Sequence, residues 1–206
     1  MLPEKKSSLG LDLAKLLSPE QVKWDWATLK AYSVDASIYK IPPQVVVLPQ
    51  TEDDIDVVVD YAMKVGVSLT PRAAGTNLTG SAIGAGIIVD ISRMNRILEV
   101  NQEEQWVRVQ PGLVLAEFNK QLAPMGLMYG PDPSSGEMCK LGGMWANNSS
   151  GPHSLRYGSV KDTIRSVRIR LIREGWLEAQ AVEIGGVVHD SLLKQYEALR
   201  TVWRML

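Results

Sequence analysis

The chain has 206 residues but only one cysteine and two histidines. That scarcity excludes an internal disulfide framework and leaves little material for a Cys/His metal site. Charge of neither sign prevails, since 22 Lys and Arg stand against 23 Asp and Glu for a net of −1. No global basic field exists to hold nucleic acid or an anionic lipid surface. Nowhere do about 18 apolar residues run together, so the sequence contains no transmembrane segment. Near the N-terminus Lys5 and Lys6 precede an apolar stretch, but Asp12 and Lys15 interrupt it before it forms the core of a secretory signal. What remains is an ordinary globular composition, 45% hydrophobic and 22% charged, at a length suited to one domain or one and a half. The expected setting is the cytoplasm, with peripheral attachment to a membrane left open.

Residues 1–42 read as a peripheral helical segment. Leu9, Leu13, Leu16 and Leu17 have helical spacing, and Ser18-Pro19-Glu20 reads as a cap with proline at the first position of a further helix. After Ile41-Pro42-Pro43, the continuous apolar run Val45–Leu48 predicts a strand buried on both faces. The clearest helix follows: Thr51 caps it, Glu52, Asp53 and Asp54 crowd its positive first turn, and Gly66 stops it. Val67–Thr70 and Gly86–Val89 then read as strands, so this part predicts a βαβ unit with parallel strands.

The second part has a different pattern. Arg96–Val100 and Gln105–Gln110 predict an antiparallel pair, and Leu115, Phe118, Asn119 and Leu122 share a helix face that ends near Pro124 and Gly126. Residues 129–160 are rich in Gly, Pro, Ser and Asn, a long irregular stretch of the kind that is functional or disordered. Val167, Ile169 and Leu171 alternate with Arg168 and Arg170 as a half-buried strand, turning near Glu174-Gly175. A last helical pattern joins Leu192, Leu193, Tyr196, Leu199 and Val202, and Trp203 and Leu206 at its end could dock a partner or mark exposed core. The expected class is α+β, a parallel βαβ unit followed by an antiparallel sheet flanked by helices, the main domain running over 43–206.

Three segments could carry chemistry. In Pro71–Ser81, small residues let successive N–H groups face one concavity, a nest suited to phosphate oxygens; Thr76, Asn77 and Thr79 add polar groups and Arg72 a cation. The Walker pattern is excluded because Gly80 is followed by Ser81-Ala82, with no lysine. The Gly-x-Gly-x-x-Gly fingerprint fails because Gly84-Ala85-Gly86 runs into a strand. The second segment runs from Tyr129 through Pro131, Asp132, Ser134 and Ser135 to Gly151. Its Gly142-Gly143 pair would admit a flat ring against the main chain, and Asn147 and Asn148 offer paired donors and acceptors. Leu155-Arg156-Tyr157-Gly158 would close the same site. Against each stands a plain surface turn.

Other features favour structural roles. His153 and His189 lack carboxylate or Cys at metal spacing, Cys139 packs rather than reacts, and Arg165, Arg168, Arg170 and Arg173 read as the solvated face of a strand. Six scattered tryptophans serve packing. No catalytic residue is identifiable.

In this order and spacing, the segments from about Tyr32 to Arg170 resemble the flavin-binding domain of the FAD-linked oxidases, of the vanillyl-alcohol oxidase or p-cresol methylhydroxylase fold. The branch they most resemble is that of the glycolate oxidase subunit and D-lactate dehydrogenase. The matching residues are Tyr32–Ser37 with Pro43–Pro49, Pro71–Gly80, Val109–Gly112, Pro131–Ser135, Cys139–Gly143 and Tyr157-Gly158. The resemblance implies that Ala74, Gly75, Thr76, Asn77, Leu78 and Thr79 hold the FAD pyrophosphate. It also implies that Pro131–Ser135 and Gly142–Gly151 lie along the flavin and ribityl chain. Such proteins usually carry Gly at Ala73 or Ala74, Ser near Asn77 and Gly at Ser81, so the departures exchange small residues for small. Members with covalent FAD place His where Thr76 stands, so non-covalent FAD is expected.

The activity implied is oxidation of a small 2-hydroxy acid of the D-lactate or glycolate type, by hydride transfer to flavin N5. Family members continue into a substrate-binding cap, and no such segment follows Leu206 here. The expectation is an inactive front part of a larger enzyme, with a missing C-terminal domain or a partner subunit. Two rivals stay open: a non-catalytic or degenerate flavin subunit, and a different flavin reductase on the same fold.

Overall fold

The computed structural model describes residues 8–180. The helical pattern at Leu192–Val202, Trp203, Leu206, His189 and the Lys5-Lys6 pair lie outside the described residues.

Helix α1 (Ser8–Leu16) is followed by a short strand β1 (Val22–Lys23) and helix α2 (Trp26–Ala31). Strand β2 (Val45–Val47), helix α3 (Glu52–Val65), strand β3 (Leu69–Arg72) and strand β4 (Ile87–Asp90) complete the first part. The sheet order is β1-β2-β4-β3. Thus β2 and β3 are parallel, as expected, but each pairs with β4, which lies between them, with Val45 and Leu69 both opposite Ile87. β1 adds antiparallel to β2 at the edge.

Helix α3 forms for the local reasons visible in its sequence. The Thr51 hydroxyl accepts from the Asp54 N–H at 3.2 Å, and the Asp54 carboxylate accepts from the Thr51 N–H at 3.1 Å. Gly66 then closes the helix in the left-handed conformation (φ 69°). Val58 and Ala62 face the sheet, and Val59 is also buried. The sheet supplies Val45, Val47 and Ile87, all fully buried, and burying each such side chain stabilises the fold by about 1.5–3 kcal/mol.

The N-terminal segment is not peripheral. Leu9 and Leu13 belong to this same core with Val22, Val58 and Ala62, because the apolar stripe of α1 packs against α3. The Gln21 side-chain amide also donates to Asp54 at 2.7 Å. Pro19 opens a turn rather than a helix, the Gln21 N–H donating to the Ser18 carbonyl at 3.0 Å, and the next helix, α2, is capped instead by Asp25.

Strands β5 (Ile97–Asn101) and β6 (Trp106–Val109) pair antiparallel. Helix α4 (Leu115–Leu122) buries Leu115, Phe118 and Leu122, and its Asn119 caps the Tyr129 backbone instead of joining the apolar face. Residues 129–160 are less irregular than expected, for they contain the short helices α5 (Leu141–Ala146) and α6 (Ser154–Tyr157). Cys139, Met144 and Val160 bury with Leu115 between these pieces. The hairpin β7 (Ser166–Leu171) and β8 (Gly175–Gln180) turns where expected.

One strand face differs from its expectation. The Arg170 side chain is only 11% exposed and pairs with Asp56 and Asp60 of α3, while Arg168 pairs with Glu52. The aspartates of α3 turn Arg170 inward, while Arg168 stays solvent-exposed, so the expected solvated face holds for Arg168 but not for Arg170; both fasten the hairpin to the helix. The Trp176 indole N–H also donates to Asp56, at 3.0 Å.

Candidate functional site

Loop 73–81 leaves β3 at Arg72 and returns to β4, so both its ends are fixed by the central sheet. Arg72 is committed within the protein: its Nη1 donates to the carbonyls of Val34 (2.9 Å) and Ala82 (3.1 Å), and its guanidinium stacks over the Tyr32 ring at 5.1 Å. Gly75 adopts φ 69°, and a Cβ there would lie 2.6 Å from that guanidinium, so glycine is required on both counts. The Gly75 carbonyl accepts from the Ala36 N–H at 3.0 Å.

Asn77 organises the rest of the loop. Its amide group donates to Asp35 at 3.0 Å, which aims the amide oxygen back at the N–H groups of Thr79 (3.1 Å) and Ser81 (3.0 Å). Burial tends to raise the Asp35 pKa, but hydrogen bonds from Ser37, Asn77 and Ala82 outweigh it and hold the carboxyl below its usual range. Among the described residues, no acceptor faces the N–H groups of Ala74, Gly75, Thr76, Asn77 and Leu78. Consecutive amides left over in a loop of small residues are a cradle for an anionic oxygen cluster such as a diphosphate. Leu78 stands at the tip, 77% exposed.

Helix α5 brings Gly142 and Gly143 to this loop. A Cβ on Gly143 would lie 2.9 Å from the Ala73 Cβ, and one on Gly142 would lie 2.6 Å from the Pro111 ring. Only glycine permits the helix so close to both segments. Asn147 caps the end of α5 by donating to the Gly143 carbonyl at 3.0 Å. Asn148, with φ 46°, accepts from the Lys161 N–H at 3.0 Å.

A second cluster forms where Pro131–Ser135 meets Gly151–Gly158. Pro131 is fully buried, and Gly151 sits so close to Asp132 that a Cβ would fall 2.1 Å from the Asp132 carbonyl oxygen. Asp132 pairs with the His153 ring and accepts its backbone N–H, and the hydrogen bond from His153 lowers the Asp132 pKa. His153 is thus satisfied by a carboxylate that its spacing in the chain did not disclose. Gly130 abuts the Tyr157 side chain, and Gly158, at φ 72°, lies against Asp162. Ser134 is exposed, and the Ser135 carbonyl accepts from Met138 and Cys139. Burial raises the Cys139 thiol pKa, in keeping with a packing role. Among the described residues, no hydrogen bond joins Pro131–Ser135 directly to loop 73–81.

Sequence reasoning missed one group at this junction. The Lys140 ammonium donates to the Ala73 carbonyl at 3.0 Å and lies 3.8 Å from Asp90, which accepts from the Tyr32 hydroxyl at 2.5 Å. Burial and the Asp90 carboxylate raise the Tyr32 pKa, so its hydroxyl remains a donor. Nothing local in Cys139–Gly143 signals a partner so far upstream. Among the described residues, no cluster of three or more His, Cys, Asp or Glu could hold a metal, and no helix is long and apolar enough to cross a membrane.

A family model described as an FAD binding domain matches residues 43–178. The chain belongs to the FAD-binding domain family. Among its relatives is D-2-hydroxyglutarate dehydrogenase of Escherichia coli K12, 39% identical over 156 residues that make up 74% of this chain and 15% of that protein. Glycolate oxidase subunit GlcD of the same organism is 31% identical over 157 residues, 75% of this chain and 30% of that protein. The chain therefore spans less than a third of each. A solved alkyldihydroxyacetonephosphate synthase superposes with TM-score 0.77 at 27% identity, covering 88% of this chain and 36% of that one. The FAD-linked oxidase fold is shared also by 6-hydroxy-D-nicotine oxidase from Arthrobacter nicotinovorans, at TM-score 0.69 and 21% identity. The resemblance read from the sequence to the FAD-linked oxidases, and the α+β class, agree with these findings.

Proposed function

We propose that this chain is the FAD-holding part of a flavin-dependent oxidoreductase that oxidises a small 2-hydroxy acid, with FAD bound non-covalently. One observation carries the reading: the N–H groups of Ala74–Leu78 carry no hydrogen bond among the described residues, on a loop that α5 approaches closely through Gly143. Two relatives support the substrate class, because D-2-hydroxyglutarate and glycolate are both 2-hydroxy acids.

When bound, FAD would supply at N5 a hydride acceptor for oxidation of a 2-hydroxy acid. The residues of this chain bind and orient. The amides of Ala74–Leu78 neutralise the diphosphate, Asn77 and Arg72 hold the loop in the competent shape, and Gly142-Gly143 let α5 pack closely against Pro111 and Ala73 beside it. Pro131, Asp132, Ser134, Ser135, Gly151, Tyr157 and Gly158 line the remainder. Thr76 offers no nucleophile for a flavin bond of the kind a histidine makes. No residue of this chain is assigned as a catalytic base. A partner subunit belongs to this reading, as the name of the glycolate oxidase relative says of that protein.

The test is an FAD titration of the purified 206-residue chain, read by quenching of flavin fluorescence, followed by acid precipitation. Saturable one-to-one binding with all flavin released into the supernatant is expected. Absence of binding would overturn the reading, and a yellow precipitate would overturn its non-covalent form. Little or no dye reduction with glycolate, D-lactate or D-2-hydroxyglutarate is expected from this chain alone.

A further inference from the structure

We infer that Lys140 is a positioning residue that braces loop 73–81 against α5 before any cofactor arrives, an inference that rests on the FAD reading above. The Lys140 side chain is 14% exposed and that of Asp90 8%, so both charges are held largely out of water. A buried ion pair stabilises a fold little relative to apolar residues of the same volume, so its worth lies in the geometry it enforces. Here that geometry spans three elements. Lys140 stands at the foot of α5, bridged in β fashion to Val114; Asp90 ends β4, the strand between β2 and β3; Ala73 begins the loop.

The Asp90 carboxylate is fully engaged, accepting from Tyr32 on one oxygen and from the Ser92 N–H at 2.8 Å on the other, which also faces Lys140. It cannot swing away, so the ammonium is fixed by the sheet and in turn fixes the Ala73 carbonyl at 3.0 Å. The contact of Gly143 with the Ala73 Cβ lies at the same junction. Loop and helix therefore share one anchor, and the position of the diphosphate cradle relative to α5 is set by the reach of the Lys140 side chain.

Four variants of the full chain test this: Lys140→Met, Lys140→Arg, Asp90→Asn and the double Lys140→Met/Asp90→Asn. The Met variant should bind FAD roughly 10- to 100-fold more weakly, the scale of loss when a partner that orients a metal ligand is removed, and Arg should recover part of it. Without FAD, amide exchange in residues 74–78 and 141–146 should quicken in the Met variant while β2 and β4 keep their protection. The double variant should regain stability, its lone charge removed, yet still bind FAD weakly. Wild-type affinity and exchange in the Met variant would overturn the inference. So would a double variant that recovers stability and affinity together, since Lys140 would then merely neutralise Asp90. If the wild-type chain binds no FAD, the functional reading fails, and the cofactor-free exchange comparison still decides the brace.

Discussion

Along β2 and β4 the side chains of Val45–Val47, Ile87 and Ile88 are fully buried, whereas in residues 129–160 only Pro131, Cys139, Met144 and Val160 are buried. The first region is held by apolar area, which is non-directional and tolerates small displacements. The second is held by backbone approaches that a methyl group would block, at Gly130, Gly143 and Gly151, and by side-chain caps such as Asn147 and Asn148. The two regions divide the labour, one supplying stability and the other shape. A binding surface made of backbone needs the second kind of holding, because bulk in the lining would occupy the ligand's place.

Four substitutions can break or sharpen this contrast. The largest effect should come from Ile87→Ala, which empties the centre of the sheet and should cost about 2–5 kcal/mol in urea unfolding, with FAD affinity falling only as the folded fraction falls. Gly151→Ala should cost less, about 1–3 kcal/mol, since a Cβ must displace the Asp132 backbone. It should lower FAD affinity in excess of its stability loss, and equal stability and affinity losses for both variants would erase the distinction.

Arg170→Met should cost about 1–2 kcal/mol near neutral pH, with the exposed Asp60 contributing little through the solvent. Burial pushes the Asp56 pKa up, but hydrogen bonds from Trp176 and Arg170 and the arginine charges bring it below the usual range. A carboxyl depressed in the folded state stabilises above its unfolded pKa of about 4 and loses that contribution as pH falls through the folded value. The gap between wild type and Arg170→Met should therefore narrow below about pH 4 in thermal melts. The smallest effect should be that of His153→Ala. Its ring is exposed, so global stability should change by less than about 0.5 kcal/mol, although the pairing with Asp132 is lost.

How much of this was legible follows the same division. Helix α3 was readable because Thr51, Asp54 and Gly66 act on their own neighbours, and β2 because Val45–Val47 announce burial by composition. The insertion of β4 between β2 and β3 was not, since pairing partners are chosen by the whole sheet. The inward turn of Arg170 was hidden for a similar reason: alternation in β7 assigns it to a face, and only α3 decides that the face meets aspartates. At the site, the glycines and Asn77 were readable as types of residue, but not the use of Asn77 as an internal acceptor or the tie between Lys140 and Asp90. Short helices α5 and α6 were masked by glycine and serine, which disfavour helix by propensity but not when packing holds them.

The order of strands bears on how the chain assembles as it leaves the ribosome. When residues 45–72 have just emerged, β2 and β3 have no neighbour to share, for the strand that unites them is still inside the ribosome. Loop 73–81 is the hinge over which that last piece folds back. On the proposed reading, a dinucleotide held by loop 73–81 would favour the closed sheet over the open chain, so the yield of native protein should rise with flavin supply during synthesis.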